Sequence, residues 1–379
     1  MNLLGEKPKL KGKYDVIVVG GGVAGVAAAV SAAREGAKVI LIEKSINLGG
    51  LATGGLISWY EPLCDGNGNQ IIGGIAGELI KLSAKYCFDD TPEAWGGTGK
   101  HPLKYARYGT HFSPTVFSLA LDEFVLNHGV TLRFDTLATY PVMEGNLCLG
   151  VVVESASGRE FFEGKAIIDA TGDASIMHRA GVPTVVGKNY MTYIVHHFDQ
   201  TTAQELAQTG DICRFRRWYN TGANMYGHGH PEGMEMLAGT NAEEITNYVI
   251  AGKKSMLEKC KQWDRNDFDI MTLPNMPQLR TIRRIIGDCD FEAIDGKTYP
   301  DSIGDCNDFR PSGIGKHYQI PAGALFNSSF PNLIAAGRII SAPQGDPWEV
   351  TRVIPVCAMT GEAAGKIARS ILRSKHKFI

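Results

Sequence analysis

The chain has 379 residues, 44% of them hydrophobic, with 45 glycines and a formal charge of −2 at pH 7. Such a balance excludes a polyelectrolyte partner, so no nucleic-acid role is expected, and the basic runs Lys7–Lys13 and Lys375–Lys377 read as solvated tails. The length exceeds what one hydrophobic core serves, which predicts two intertwined domains.

The chain starts MNLLGEKPKLKGK, without an apolar h-region, and no later stretch reaches the roughly 18 uncharged apolar residues that span a bilayer. A cytoplasmic chain with no membrane insertion is expected. Tyr14 to Lys44 then reads as an apolar strand (Val16 to Val19), a turn Gly20-x-Gly22-x-x-Gly25, an alanine-rich helix to about Arg34, a second strand (Val39 to Ile42) and the acid Glu43. That order is the βαβ dinucleotide fingerprint. Gly20 allows the tight turn, Gly22 lets backbone approach a pyrophosphate, and Gly25 lets helix lie against strand, while the helix N-terminus offers unpaired N–H groups to phosphate. Glu43 then faces the ribose hydroxyls.

A second glycine cluster, Leu48-Gly49-Gly50-Leu51-Ala52-Thr53-Gly54-Gly55, follows where an NAD dehydrogenase would continue its strand–helix alternation. It implies a loop brought close to an extended cofactor. Trp59 to Gly66 reads as a loop beside the active site, with aromatic residues suited to stacking or to core packing. Ser113-Pro114 starts a helix that ends near His128-Gly129. Short runs at Val130–Phe134, Ala138–Met143, Leu147–Glu154, Arg159–Glu163 and Lys165–Ile168 then read as a β-meander inserted in the nucleotide domain.

The meander leads into Ile167-Ile168-Asp169-Ala170-Thr171-Gly172, and His196-His197 follows an apparent strand at Tyr190–Val195. His228-x-His230 with Glu232 invites a metal reading, but no further ligand is evident, so no metal is expected and a substrate-contacting loop is preferred. Arg280, Arg283 and Arg284 could grip an anionic substrate or simply form surface ion pairs. Asn332 to Arg338 repeats the strand-then-glycine pattern, and Arg352 to Gly365 leads into a final helix. The eight cysteines (Cys64, Cys87, Cys148, Cys213, Cys260, Cys289, Cys306 and Cys357) are scattered without a CxxC pair, which removes a redox-active disulfide from the mechanism.

Taken in order, GGGVAG, Glu43, LGGLATGG, DATGDA, NLIAAGR and TGEAAG resemble the FAD-dependent oxidoreductases of the glutathione-reductase type, a group related to the succinate dehydrogenase and fumarate reductase flavoproteins. The resemblance implies an α/β fold: a Rossmann-like FAD domain with the inserted meander and a discontinuous substrate or cap domain. The expected division is 1–56, 108–184 and 318–379 for FAD, with 57–107 and 185–317 as cap. The resemblance further implies that Gly20, Gly22 and Gly25 hold the pyrophosphate, and that Glu43 and Lys44 serve the adenosine ribose. Gly49, Gly50 and Leu51 would lie nearer the flavin, and Ala138 at the adenine. Ala170, Thr171 and Gly172 would close over the adenosine side, Gly337 and Arg338 would approach the ribityl–phosphate stretch, and a helix starting near Thr360-Gly361 would point at the flavin pyrimidine edge. The chain carries Thr281 where the group usually has an acid, so no acid's role passes to that position.

The related flavoproteins carry a flavin-linked His before the glycine cluster, whereas this chain has Asn47-Leu48, so non-covalent FAD is expected. With one dinucleotide fingerprint rather than two, direct hydride transfer between a small organic substrate and the flavin is the leading expectation. His317 and Arg352 are the candidate catalytic residues, their bland alternatives being a hydrogen-bonded structural His and an Arg paired with Glu349. The alternatives to such a dehydrogenase or oxidase are a flavin-containing reductase and an electron-relay subunit, each working with a separate partner protein. The electron donor or acceptor and the oligomeric state are left open.

Overall fold

The computed structural model describes residues 7–88, 93, 109–224 and 226–374. The run Lys375–Lys377 and most of 89–108 lie outside the described residues. The first strand, Lys9–Val19, pairs in parallel with Val39–Ile42 on one edge and with the long strand Gly158–Asp169 on the other. Val16 to Val19 and Val39 to Ile42 are buried on both faces, the pattern of a parallel sheet covered by helices. The sheet runs in the order Thr131–Arg133, Val39–Ile42, Lys9–Val19, Gly158–Asp169, Leu147–Ser155, Leu137–Glu144, and Leu333–Ala335 lies in parallel beside Ile167–Asp169.

The long strand carries two architectures. From Glu160 on it pairs in parallel with the first strand, while Gly158–Glu163 also pairs antiparallel with Gly150–Ser155 and Ile167–Asp169 pairs in parallel with Leu333–Ala335. The expected separate strands at Arg159–Glu163 and Lys165–Ile168 are therefore one, and Thr131–Arg133 is an edge of the parallel sheet rather than part of the meander. The first strand is also longer than Val16–Val19: Lys11 and Lys13 sit on it and pair with Glu160 and Glu163, so they are not a tail.

Helix Val23–Arg34, buried from Val23 to Ser31 and at Ala32, packs on the C-terminal helix Ile354–Arg373. Small residues permit this approach. A Cβ on Gly361 would stand 2.1 Å from the Ala24 carbonyl oxygen, and one on Gly365 would stand 2.7 Å from that of Ala28.

A second cluster holds Met191, Tyr193, Val195, Leu237, Tyr248, Met256 and Leu279. It lies between helix Ala242–Gln262 and a three-stranded sheet ordered Arg217–Gly222, Thr192–Asp199, Phe268–Thr272. His196 and His197 are inside the middle strand rather than after it. Residues 57–88 do not join this cluster: Tyr60, Leu63, Ile75, Leu79 and Ile80 belong to the main core, as do Phe291 and Cys306. Helix Gly74–Lys85 finds its apolar partner in the C-terminal helix, and Glu362 accepts a hydrogen bond from the Ile75 N–H at 2.7 Å. The described part of 57–107 thus packs on the main core, as does part of 185–317.

Candidate cofactor and substrate cavity

The three glycines of the first turn answer to three different constraints. Gly20 has φ +100°, and a Cβ there would stand 2.5 Å from the Ala170 carbonyl oxygen. Gly25 has no room for a Cβ against the Gly20 carbonyl, at 1.8 Å, so its role is packing helix on strand. An added Cβ on Gly22 meets no atom within 4 Å, because this glycine faces open space. The second cluster lies against the first: the Gly49 N–H donates to the Gly21 carbonyl at 2.8 Å, and a Cβ on Gly50 would come within 3.1 Å of the Gly22 Cα. Glu43 ties the assembly together, accepting from the Gly21 N–H at 2.6 Å and the Ser45 N–H at 2.7 Å.

These turns open on one continuous cavity of about 560 Å³. Gly20, Gly22, Glu43, Lys44, Gly49, Gly50, Leu51, Ala170, Thr171, Gly172, Gly337, Arg338 and Arg352 all line it. Asp169 is fully buried and shapes its Ala170–Gly172 wall, its carboxylate accepting from the Thr171 N–H and hydroxyl and from the N–H groups of Ile176 and Met177. Burial pushes the Asp169 carboxyl up to about 6, against the pull of these donors. Arg338, beside Gly172, donates Nη1 to the carbonyls of Leu279 (2.7 Å) and Arg280 (2.6 Å) and so clamps the 275–280 segment over the cavity.

Gly25, Ala138, Thr360, Gly361 and His317 do not line the cavity. Ala138 is buried in the meander, paired with Val153. The C-terminal helix begins at Ile354, earlier than expected, so Val353, Ile354 and Cys357 present its N-terminus. Thr360 instead accepts from the Gly337 N–H at 3.0 Å and holds the glycine turn, while Gly361 serves helix packing. The His317 ring lies 3.4 Å from the Asp65 carboxylate. Burial would raise the Asp65 carboxyl, but hydrogen bonds from Asn69, Asn67 and His317 hold it below its usual range.

The far end of the cavity is lined by Trp59, Glu61, Trp218, Arg280, Phe309 and Arg352. Trp59 packs against His111 with the rings tilted by 54° and their centres 4.3 Å apart, and donates its indole N–H to Glu61; Trp218 donates to the Ser58 hydroxyl at 3.2 Å. Arg352 binds one oxygen of Glu349 through Nε (2.8 Å) and Nη2 (2.6 Å), with its guanidinium over the rings of Phe309 and Trp348. The Phe309 loop is pinned by Arg310, which bridges Asp308 at 2.6 Å and Asp346 at 2.8 Å.

Other sequence candidates have structural employment. His230 accepts from the Met191 N–H and faces the Met234 carbonyl with its other nitrogen. Among the described residues no group of three His, Cys, Asp or Glu is placed to hold a metal. Arg284 pairs with Asp290, and neither it nor Arg283 reaches the cavity. Trp218, Gln278 and Phe309 were invisible as site residues in the sequence, since no motif surrounds them and they arrive from separate turns of the chain.

The model of the family described as FAD dependent oxidoreductase matches residues 15–248 and 240–378. The chain belongs to this family. A digeranylgeranylglycerophospholipid reductase of Methanoculleus marisnigri is 29% identical over 188 residues, 47% of this chain and 43% of that protein, so the match spans less than half of the curated relative. Among solved structures, a geranylgeranyl bacteriochlorophyll reductase-like protein of Thermoplasma acidophilum is similar with a TM-score of 0.47 and 15% identity, covering 96% of this chain and 79% of that one. The Mycobacterium smegmatis Sdh1 complex gives a TM-score of 0.49 and 14% identity over 96% of this chain and 69% of its own.

This FAD-dependent oxidoreductase has residues that fit its cofactor. The space beyond Gly22 leaves a backbone surface bare beside the first N–H groups of helix Val23–Arg34, where diphosphate charge is stabilised. The cavity volume lies within the range of ligand sites. No helix among the described residues is long and apolar enough to cross a membrane.

Proposed function

We propose that the oxidoreductase holds FAD without a covalent link and exchanges a hydride with a small organic substrate docked at the Trp59, Trp218 and Phe309 end of the cavity. FAD supplies the two-electron chemistry when bound. Gly22 and the N-terminus of helix Val23–Arg34 would bind its diphosphate, Glu43 and Lys44 its adenosine ribose, and Ala170–Gly172 would cover that side. Val353 and Ile354 would present the positive end of the C-terminal helix to charge that develops on the ring, a stabilisation of about 0.3–1 kcal/mol or more when partly buried. The observation that carries the reading is the single cavity shared by the dinucleotide turn and an aromatic, arginine-bearing end.

A guanidinium stays charged in proteins, so Arg352 is suited to orienting a substrate rather than to moving a proton. We assign proton handling to Glu61, the titratable carboxylate lining the aromatic end, in place of His317, which faces Asp65. Glu61→Gln should lower kcat by about 10²–10⁴, with flavin content unchanged. An unaltered rate would remove Glu61 from the reaction.

No histidine among the described residues lines the cavity, and Cys357 points its thiol toward backbone carbonyls, which supports a dissociable cofactor. Eight cysteines free of disulfides support a reducing, cytoplasmic location. The test is a visible spectrum of the purified protein, followed by anaerobic addition of a metabolite pool and of NADH separately. Bleaching by metabolites alone supports the dehydrogenase reading, whereas reduction only through a partner protein supports the reductase alternative. Absence of flavin after reconstitution would refute the proposal, and yellow colour that stays with acid-precipitated protein would refute the non-covalent link.

A further inference from the structure

Arg280 lines the aromatic end of the cavity, and its side chain has no hydrogen-bond or ion-pair partner among the described residues. Its backbone is fixed from two sides. Asn189 accepts from the Arg280 and Thr281 N–H groups at 2.8 and 2.7 Å, and Arg338 holds the Arg280 carbonyl. The groups that act on its charge are Arg352, Glu349 and Tyr248. Burial first, and then the neighbouring Arg352, push its pKa below the ordinary guanidinium value. Glu349 is committed to Arg352 through one oxygen, and Glu61, the other carboxylate at this end, accepts from the Trp59 indole, so neither is ion-paired with Arg280. A half-buried cation without a counter-ion is costly, and a bound anion removes the cost.

We infer that the substrate is an organic acid: its carboxylate is gripped by Arg280 together with Arg352, and its planar or apolar body lies against Trp59, Trp218 and Phe309. Guanidiniums meet carboxylates through paired N–H donors, which fixes orientation as well as charge. Indole and phenyl faces reward a flat partner. The inference rests on the cofactor reading above, because it assigns the remainder of the same cavity to the substrate. Arg280 is thereby separated from its neighbours Arg283 and Arg284, whose cationic groups are turned to the Asp173 carbonyl and the Asp290 carboxylate.

The test uses the flavin-loaded protein titrated with benzoate and, separately, with benzamide, its uncharged analogue, read by the flavin absorption bands and by calorimetry. Benzoate should perturb the spectrum and bind at least tenfold more tightly than benzamide. Arg280→Met should weaken benzoate tenfold or more with flavin content per chain unchanged, and Arg280→Lys should recover part of the loss. Equal response to the two probes, or none to either, overturns the assignment. So does loss of flavin from Arg280→Met, since Arg280 would then be a counter-ion of the cofactor. A chain that holds no flavin after reconstitution fails the earlier reading instead, and calorimetry with benzoate then decides this one separately.

Discussion

Gly22 and His196 show how differently single residues can matter here. Gly22 has ordinary backbone angles for a helix cap, φ −63° and ψ 174°, so another residue would fold there without strain. What a side chain would take is space in the cavity. Gly22→Val should therefore leave the stability of the apoprotein within about 0.5 kcal/mol of the wild type while abolishing flavin retention on gel filtration. A variant that keeps its flavin would remove Gly22 from the cofactor site. His196 is buried, its ring nitrogen 3.4 Å from the Ser58 hydroxyl, and burial followed by the charge of Arg216 pushes its pKa down to about 3. The unfolded ring titrates near 6.5 and binds its proton first on acidification, so stability is fully present above that pH and is lost progressively as pH falls from 6.5 toward 3. A tenfold difference in proton affinity between the folded and unfolded ring corresponds to about 1.4 kcal/mol, so acidification from pH 7 to about pH 5 should cost the wild type about 2 kcal/mol through this residue. His196→Gln should flatten that part of the dependence in urea titrations at about pH 7 and pH 5; an unchanged dependence would assign the acid sensitivity elsewhere.

The C-terminal helix is the element that residue order and tertiary packing present most differently. Its TGEAAG stretch resembles a cofactor contact, and its small residues suggest room for flavin. In the fold they make room for another helix: Gly361 and Gly365 face the backbone of helix Val23–Arg34, and the end that reaches the cavity is formed by Val353 and Ile354. A glycine at a helix crossing and a glycine at a ligand have the same signature in one dimension, since both forbid a Cβ. Gly361→Ala should destabilise the protein by about 1–3 kcal/mol through overpacking, measured by urea denaturation of the apoprotein, with a flavin spectrum of ordinary shape in the fraction that folds. Unchanged stability would show that the two helices can part at little cost. In strand Gly158–Asp169, Gly164 likewise has no room for a Cβ, which would stand 2.7 Å from the Ile17 side chain.

At the scale of the molecule, the cavity is closed by chain segments far apart in sequence, and Arg338 is a joint between them. Burial lowers its pKa, and its partners are carbonyls of the segment that carries Gln278 and Arg280. Gln278 continues the joint, donating to the Gly55 and Ile194 carbonyls at 2.7 and 3.0 Å. Arg338→Met should cost about 1.5–3 kcal/mol and also raise the flavin dissociation constant and the substrate KM together, because one clamp shapes both ends. Loss of stability with flavin binding and KM unaltered would show that the segment keeps its place without the clamp.

The first βαβ unit was legible from residue order alone, because strand, glycine turn, helix, strand and acid are contiguous and each obeys a local rule of φ, burial or charge. Glu43 and the two glycine clusters belong to that local grammar. Arg280, Trp218 and Phe309 do not: a guanidinium aimed into a cavity looks like its partnered neighbours Arg283 and Arg284 until the partners are known. His317 lies outside the cavity lining for the converse reason, since Asp65, 252 positions away, supplies a contact that no spacing reveals. Sequence by itself determined which dinucleotide-binding unit this chain builds, because those constraints act within some thirty contiguous residues. Only tertiary structure decided which charges stay unpaired at the cavity and which glycines face a helix instead of a ligand, because pairing and packing depend on what distant segments bring alongside.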